Sequence, residues 1–149
     1  MTIGQAIEMT DSLKQNKYKR ADKVRWLSEL DALIWQELIA THELPERRHC
    51  EGWIGAYTVE PVFLGYPEDV PDDTELLVKF PNDNLYILYL QSQIDYYNAE
   101  ITKYNNSRQL FNNAYLTYTD WYNRTHMPKQ GSGFVFTERR AGEKDALST

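Results

Sequence analysis

The chain has 149 residues, of which 42% are hydrophobic and 26% are charged. This length and composition suit one compact domain with a core, and they exclude a disordered chain. The 22 acidic and 16 basic residues give a net charge of −6, which argues against a free-standing nucleic-acid binder, because such proteins usually carry an excess of positive charge. Residues 51–80 carry the whole imbalance, since they hold seven acidic residues and one basic residue, Lys79.

Three further features limit where the protein works. A single cysteine, Cys50, cannot form an internal disulfide, so we expect assembly inside a cell. The sequence has no apolar run of about 18 residues, so we expect no membrane span. The first residues lack the apolar stretch and cleavage site of a signal peptide, so we expect no secretion by that route.

Two helices are predicted in the first 45 residues. Thr2 and Gln5 have the spacing of a capping box, which predicts a short helix that begins at Thr2. A second helix is predicted from about residue 21 to about residue 42, and Pro45 stops it. Its apolar residues recur every three or four positions, the period of one buried helix face: Val24, Leu27, Leu30, Ile34 and Leu38.

A loop-rich insert is predicted from about residue 50 to 83, because prolines and glycines interrupt its apolar runs. Leu76–Val78 is the best candidate in this insert for a short β-strand. Residues 67–75, called the acidic loop below, are predicted to be exposed because they combine prolines with carboxylates. The acidic residues of this loop are Glu68, Asp69, Asp72, Asp73 and Glu75.

A long helix is predicted from about residue 83 to 124, because apolar and aromatic residues recur at alternating steps of three and four, a heptad seam interrupted only by Arg108. A continuous helix of this length would measure about 60 Å. Asn105–Ser107 is poor helix sequence that would allow a bend or a split, but the seam keeps its register there, which favours continuity.

The second half of this seam is rich in tyrosine, which suits a subunit interface because the ring is apolar and the hydroxyl is polar. The alternative is ordinary core packing of the seam on the second helix. The candidate interface residues in this helix are Tyr97, Tyr104, Phe111, Tyr115, Tyr118 and Tyr122.

Residues 129–149 are predicted to form an extended tail of glycine, charged and small polar residues. A tail of this composition is not expected to be ordered alone, so we expect a partner chain to hold it, with Phe134 and Phe136 as candidate interface residues in an added strand. The predicted fold is therefore mainly α. It is a single helical-bundle domain over residues 1–128, with one long C-terminal helix and a loop-rich acidic insert that contains short β pieces.

The residue types used in catalysis form no recognised motif. His42, His49 and Cys50 could gather around a metal ion or form a nucleophilic site, but their spacing matches no standard metal motif and no third group orients the thiol. The carboxylates of the acidic loop are expected to be solvated, because a catalytic pair needs surroundings that separate its pKa values. We therefore expect no enzymatic activity and no cofactor.

One dense group of basic residues lies between positions 14 and 25. It could contact a phosphate backbone or an acidic partner, and the alternative is a solvated loop and helix start. The residues are Lys14, Lys17, Lys19, Arg20, Lys23 and Arg25.

Eight short segments together resemble a family of small structural proteins encoded by tailed phages and prophages, mostly of Gram-positive hosts. The resemblance covers residues 2–128 and leaves out the tail. The segments are Thr2–Ile7, Trp26–Asp31, Ile39–Glu43, Thr74–Val78, Leu85–Leu90, Ile94–Asn98, Tyr104–Ser107 and Trp121–Pro128.

In size and helix content the chain is similar to head–tail connector (adaptor) proteins of such phages. The resemblance implies a virion structural protein, assembled in the host cytoplasm, that forms a homo-oligomeric ring, commonly a dodecamer, between the portal protein and a downstream neck or tail protein. DNA would pass through the ring only as cargo, and the carboxylates of the acidic loop, Glu68 to Glu75, could line the channel because like charge disfavours contact with phosphate. The resemblance implies no catalytic residue and no membrane partner.

Two other functions remain open at this stage. One is another phage neck or tail-completion protein. The other is a cytoplasmic helical regulator that binds a protein through its tyrosine-rich face.

Overall fold

The computed structural model describes residues 1–42 and 63–128. These residues form the helices α1 (Ile3–Leu13), α2 (Arg20–Glu37), α3 (Leu85–Tyr97) and α4 (Ile101–Thr125), with 3₁₀ turns at Ile39–Thr41 and Asn82–Asn84. The prediction of a mainly α bundle with a long C-terminal helix is confirmed. The first part of the insert, residues 50–62, and the tail, residues 129–149, lie outside the described residues.

The start of α1 is the capping box that the sequence predicts. The Thr2 amide donates to Oε1 of Gln5 at 3.0 Å, and the Gln5 amide donates to Oγ1 of Thr2 at 3.2 Å. Two amides at the helix start are satisfied reciprocally in this way.

The α2 helix buries the predicted apolar face, since Val24, Leu27, Leu30, Ile34 and Leu38 are all buried. The helix ends at Glu37, several residues before the predicted end, and continues as the 3₁₀ turn Ile39–Thr41. Tightening of the last turn into a 3₁₀ turn is a common way for a helix to end.

Of the two possibilities for residues 83–124, a continuous helix and a split one, the structure has the split, because the chain turns back at residues 98–100. Ala99 adopts a left-handed conformation with φ of 60°. Its amide donates to the carbonyl of Tyr96 at 3.0 Å, and the Glu100 amide donates to the carbonyl of Asp95 at 3.0 Å, a Schellman motif. The break therefore lies before Asn105–Ser107, which is inside the intact helix α4.

The helices α3 and α4 form an antiparallel hairpin. Asp95 contacts Ser107 and Tyr89 contacts Phe111 across it, so the partner residue number rises on α4 as it falls on α3. On its other sides α3 packs on α1 and α2. The central helix α3 therefore contributes to one core that all four helices share.

The predicted strand Leu76–Val78 is wrong, since the described part of the insert has only isolated bridges, such as Thr2 with Glu75. The three residues are buried, but groups outside any sheet accept from their backbone amides. The Leu76 amide donates to the carbonyl of Met1, and the amides of the next two residues donate to side chains of α2 and α3. These donors are consequently unavailable to a neighbouring strand.

Candidate assembly surface

Arg20, the first residue of α2, holds the acidic loop in a defined shape. Its guanidinium donates to Oδ1 of Asp72 at 2.6 and 3.1 Å, and to the carbonyls of Glu68 at 3.1 Å and Val70 at 2.5 Å. Val70 is itself buried, so the middle of the loop is tied to the core.

The acidic loop also caps the start of α1. The Gly4 amide donates to the carbonyl of Asp72 at 2.9 Å, and the Ile3 amide donates to the carbonyl of Thr74 at 2.9 Å. These amides belong to the first helical turn, which has no acceptors of its own. A Cβ on Gly4 would lie 2.7 Å from Cβ of Asp72, so glycine permits this close approach.

Only part of the acidic loop's charge is used within the chain. Asp72 pairs with Arg20, and Glu75 lies 3.2 Å from Nζ of Lys79. Glu68, Asp69 and Asp73 are exposed and make no ion pair with any residue that the structure describes. These three carboxylates are therefore available to a partner.

Beneath the acidic loop, the carboxylate of Asp31 joins α2, the insert and α3. It is fully buried. The hydroxyls of Tyr66 and Tyr86 donate to it at 2.5 and 2.6 Å, and the Leu77 amide donates at 3.2 Å. The Tyr86 hydroxyl also accepts from the Val78 amide at 2.8 Å. The Asp31 carboxylate therefore holds Leu77 directly and Val78 through Tyr86, which fixes the residues that follow the acidic loop.

Burial raises the pKa of the Asp31 carboxyl from 3.8 to about 6, and the hydrogen bonds from Tyr66, Tyr86 and Leu77 oppose that rise. Two open grooves of about 760 and 340 Å³ flank the acidic loop, and Asp31 lines neither of them. A substrate in these grooves would not reach the carboxylate, so its geometry fits a structural role.

The seam is divided between the core of the chain and its surface. Phe111, Tyr118 and Tyr122 are buried within the chain itself, as in the alternative of ordinary core packing. Tyr115 is half-buried, and its hydroxyl donates to Oε1 of Glu37 at 2.6 Å. Burial and this carboxylate raise the pKa of Tyr115.

Of the predicted interface tyrosines, Tyr97 is the most accessible, with 51% of its surface exposed, and Tyr104 is half-buried. Phe134 and Phe136 lie outside the described residues. The exposed part of the seam is therefore concentrated where α3 turns into α4.

An aromatic cluster surrounds that turn, and we call it the corner patch: Tyr18, Tyr96, Tyr97, Ile101 and Tyr104. Tyr97 stacks on the buried Trp26 with ring centres 5.4 Å apart, and Tyr96 contacts Tyr97 at 5.1 Å and Tyr104 at 5.4 Å. Tyr96 is 56% exposed and Ile101 is 67% exposed. The ring contacts fix the positions of Tyr96, Tyr97 and Tyr104, and much of the apolar surface of this cluster stays exposed to solvent.

A second buried carboxylate, Asp95, fixes the corner patch to the rest of the fold. Nζ of Lys14 lies 2.6 Å from Oδ1 of Asp95, and the Ser107 hydroxyl donates to Oδ2 at 2.5 Å. The Tyr18 hydroxyl donates to Oδ1 of Asn98 at 2.7 Å. The segment after α1 is thereby held against the turn between α3 and α4.

Half of the basic cluster is paired inside the chain. Lys14 pairs with Asp95, Arg20 with Asp72, and the buried Lys23 with Asp11 at 2.7 Å. Lys17 and Lys19, on either side of Tyr18, are exposed and have no ion pair within residues 1–42 and 63–128. Arg25 is likewise exposed without an ion pair among these residues, and it lines a groove together with Glu68. Lys17 and Lys19 are the unpaired charges at the edge of the corner patch.

The His42 side chain caps the end of a helical segment by hydrogen bonding to a backbone carbonyl. Its Nδ1 donates to the carbonyl of Leu38 at 2.7 Å, and the preceding residue, Thr41, donates to the same carbonyl at 2.9 Å. His126 and Thr125 repeat this arrangement on the Tyr122 carbonyl. His49 and Cys50 lie outside the described residues. Within the described part, no group of three or more His, Cys, Asp or Glu side chains could hold a metal ion.

No described helix is both long and apolar enough to cross a membrane. No protein-family model, curated protein or solved structure matches the chain.

Sequence reasoning missed Asp31, Asp95 and Tyr96. Asp31 follows the buried Leu30 in α2, and only the fold brings two tyrosines from distant segments onto its carboxylate. Tyr96 lies beside the seam position Tyr97, and its exposure depends on the chain turning at residue 98. A carboxylate inside an apolar helical pattern was the one available signal for Asp31.

Proposed function

We propose that the protein is a virion structural subunit, a head–tail connector (adaptor) that forms a homo-oligomeric ring beneath a portal protein and continues the DNA channel. The observation that carries the proposal is the corner patch, a preorganised group of exposed aromatic and apolar side chains at one end of the α3–α4 hairpin. Exposed aromatic clusters of this kind mark protein–protein interfaces.

A second feature in support is the outer face of α4. Between Tyr104 and Thr119 the one charged residue is Arg108, and its guanidinium lies over the rings of Tyr89, Tyr104 and Phe111 at 5.1 to 5.5 Å from their centres. Leu110 and Leu116 are more than half exposed on this helix. Depletion of charged residues is typical of the centre of an interface, and the two leucines add exposed apolar surface to this face.

The charge of the acidic loop is an argument for the proposal that DNA passes through the ring only as cargo. Its exposed carboxylates would repel phosphate, so a channel that they line would not retain DNA. If assembled rings place Glu68 to Glu75 on their outer wall, this part of the proposal fails.

The test is mass spectrometry of purified virions combined with imaging of particles made without this protein. Detection in virions, together with DNA-filled heads that lack tails in its absence, would support the connector. Absence from virions would overturn any virion role, including that of another neck or tail-completion protein, and would favour a regulator. Tails that form without the protein would exclude the connector.

A further inference from the structure

We propose that the corner patch of one copy of this chain binds the acidic loop of a second copy. The inference rests on the proposed self-assembly and names the two surfaces that would meet. Both surfaces lie within residues 1–42 and 63–128, and each carries charged side chains that form no ion pair within this part of the chain.

The first argument is charge complementarity. Lys17 and Lys19 lie at the edge of the corner patch and form no ion pair with any described residue. Glu68 and Asp69 on the acidic loop also form no ion pair with any described residue. Within one chain these two groups make no ion pair with each other, although Arg20, the neighbour of Lys19, contacts the Glu68 carbonyl. A second copy would bring the opposite charges together.

The second argument is the chemistry of the surfaces around those charges. The acidic loop carries exposed Pro67 and Pro71, and exposed Leu64 precedes it. These side chains give the loop apolar surface, which aromatic rings can bury on contact. Tyr96 and Tyr97 are more than half exposed and present such rings.

The third argument is that both surfaces are already shaped. Arg20 and buried Val70 hold the acidic loop, and the bonds of Asp95 with Lys14 and Ser107 hold the corner. Little conformational freedom would be lost on contact, which reduces the cost of association.

The symmetry of such a contact follows from its two unlike halves. Each copy offers one corner patch and one acidic loop, so it can bind one neighbour through each surface. A head-to-tail interface of this kind closes into a ring when the rotation between neighbours allows it. This contact would occupy Glu68 and Asp69, so Asp73 is the carboxylate of the loop without an ion pair, among the described residues, that would be left to face a channel.

The experiment is charge reversal on the full chain, read by sedimentation velocity and native mass spectrometry up to about 0.5 mM, where weak contacts are populated. We expect K17E/K19E and E68K/D69K each to weaken self-association at least about tenfold, since each places like charges across the interface. A chain with all four changes should return to within about threefold of the wild type. The matched controls are D120K and R124E, at the far end of α4 from the corner, and they should change little.

Three outcomes would overturn the inference. The first is self-association that neither double variant weakens. The second is a variant with all four substitutions that does not regain self-association, and the third is a wild-type chain that is monomeric at every concentration. Circular dichroism melting separates loss of contact from loss of fold, and recovery in the four-fold variant does the same. If the chain forms oligomers that the charge reversals do not weaken, the proposed contact is wrong but the connector proposal stands. If the protein is absent from virions, the connector proposal is wrong, and the contact can still be measured in solution.

Discussion

The buried carboxylate of Asp31 gives the sharpest test of the fold, through the pH dependence of stability. Its pKa is about 6 in the folded chain and 3.8 as an ordinary carboxyl. Because the folded state holds this proton more tightly than the unfolded state, the contribution is fully present below pH 3.8 and is lost as pH rises through 6. At 1.36 kcal/mol per pKa unit, the total loss is about 3 kcal/mol, of which about 2 kcal/mol falls between pH 4 and pH 7.

The perturbation is Asp31→Asn, which keeps a carbonyl acceptor but cannot ionise. We expect the free energy of unfolding of the variant to rise relative to the wild type by about 2 kcal/mol from pH 4 to pH 7. Other titrating groups change stability equally in the two chains and cancel in this difference. Urea unfolding followed by tryptophan fluorescence at each pH measures it.

Tyr66→Phe is the companion variant, because it removes one donor to the ionised carboxylate. It should raise the pKa of Asp31 further and move the loss of stability to higher pH. The reasoning would be refuted if the difference in free energy of unfolding between wild type and Asp31→Asn changed by less than about 0.5 kcal/mol from pH 4 to pH 7. In that case the three donors would offset the cost of burying the charge completely.

Three more substitutions test separate parts of the structure. Ala99→Gly should stabilise the chain by about 1 kcal/mol in urea unfolding, because glycine adopts the left-handed conformation at no steric cost; destabilisation would contradict the turn at residue 98. Gly4→Ala should destabilise by about 1–3 kcal/mol and speed hydrogen exchange in the acidic loop, since the added Cβ meets Asp72; unchanged exchange would show that α1 does not touch the loop. Asp95→Ala should cost about 1–3 kcal/mol, because it leaves the half-buried Lys14 ammonium and the Ser107 hydroxyl without their partner, and Lys14→Met/Asp95→Leu should recover part of that loss in thermal melting; a single variant as stable as the wild type would exclude a stabilising role for this pair.

The sequence was sufficient for features that depend on neighbours along the chain. The capping box at Thr2, the buried face of α2 and the exposure of the acidic loop follow from residue types at fixed short spacings. In each case the physical cause acts within a few residues. Hydrogen bonds close over three positions, and apolar side chains three and four apart share a helix face.

The turn between α3 and α4 could not be predicted in the same way. The heptad spacing continues from Ile94 through Ile101, so periodicity alone favoured one helix. Ala99 is a strong helix former in general, yet here it is held in a left-handed conformation because packing of α4 back on α3 outweighs that preference. The same folding back divides the seam into buried rings and the exposed corner patch.

The sequence by itself determined a helical chain whose acidity is confined to one loop. Only the tertiary structure decided which charges are left for a partner, because pairing depends on groups far apart in the chain. Arg20 reaches Asp72 and Lys14 reaches Asp95 across 52 and 81 residues. These contacts leave Lys17 and Lys19 at the corner patch and Glu68 and Asp69 on the acidic loop.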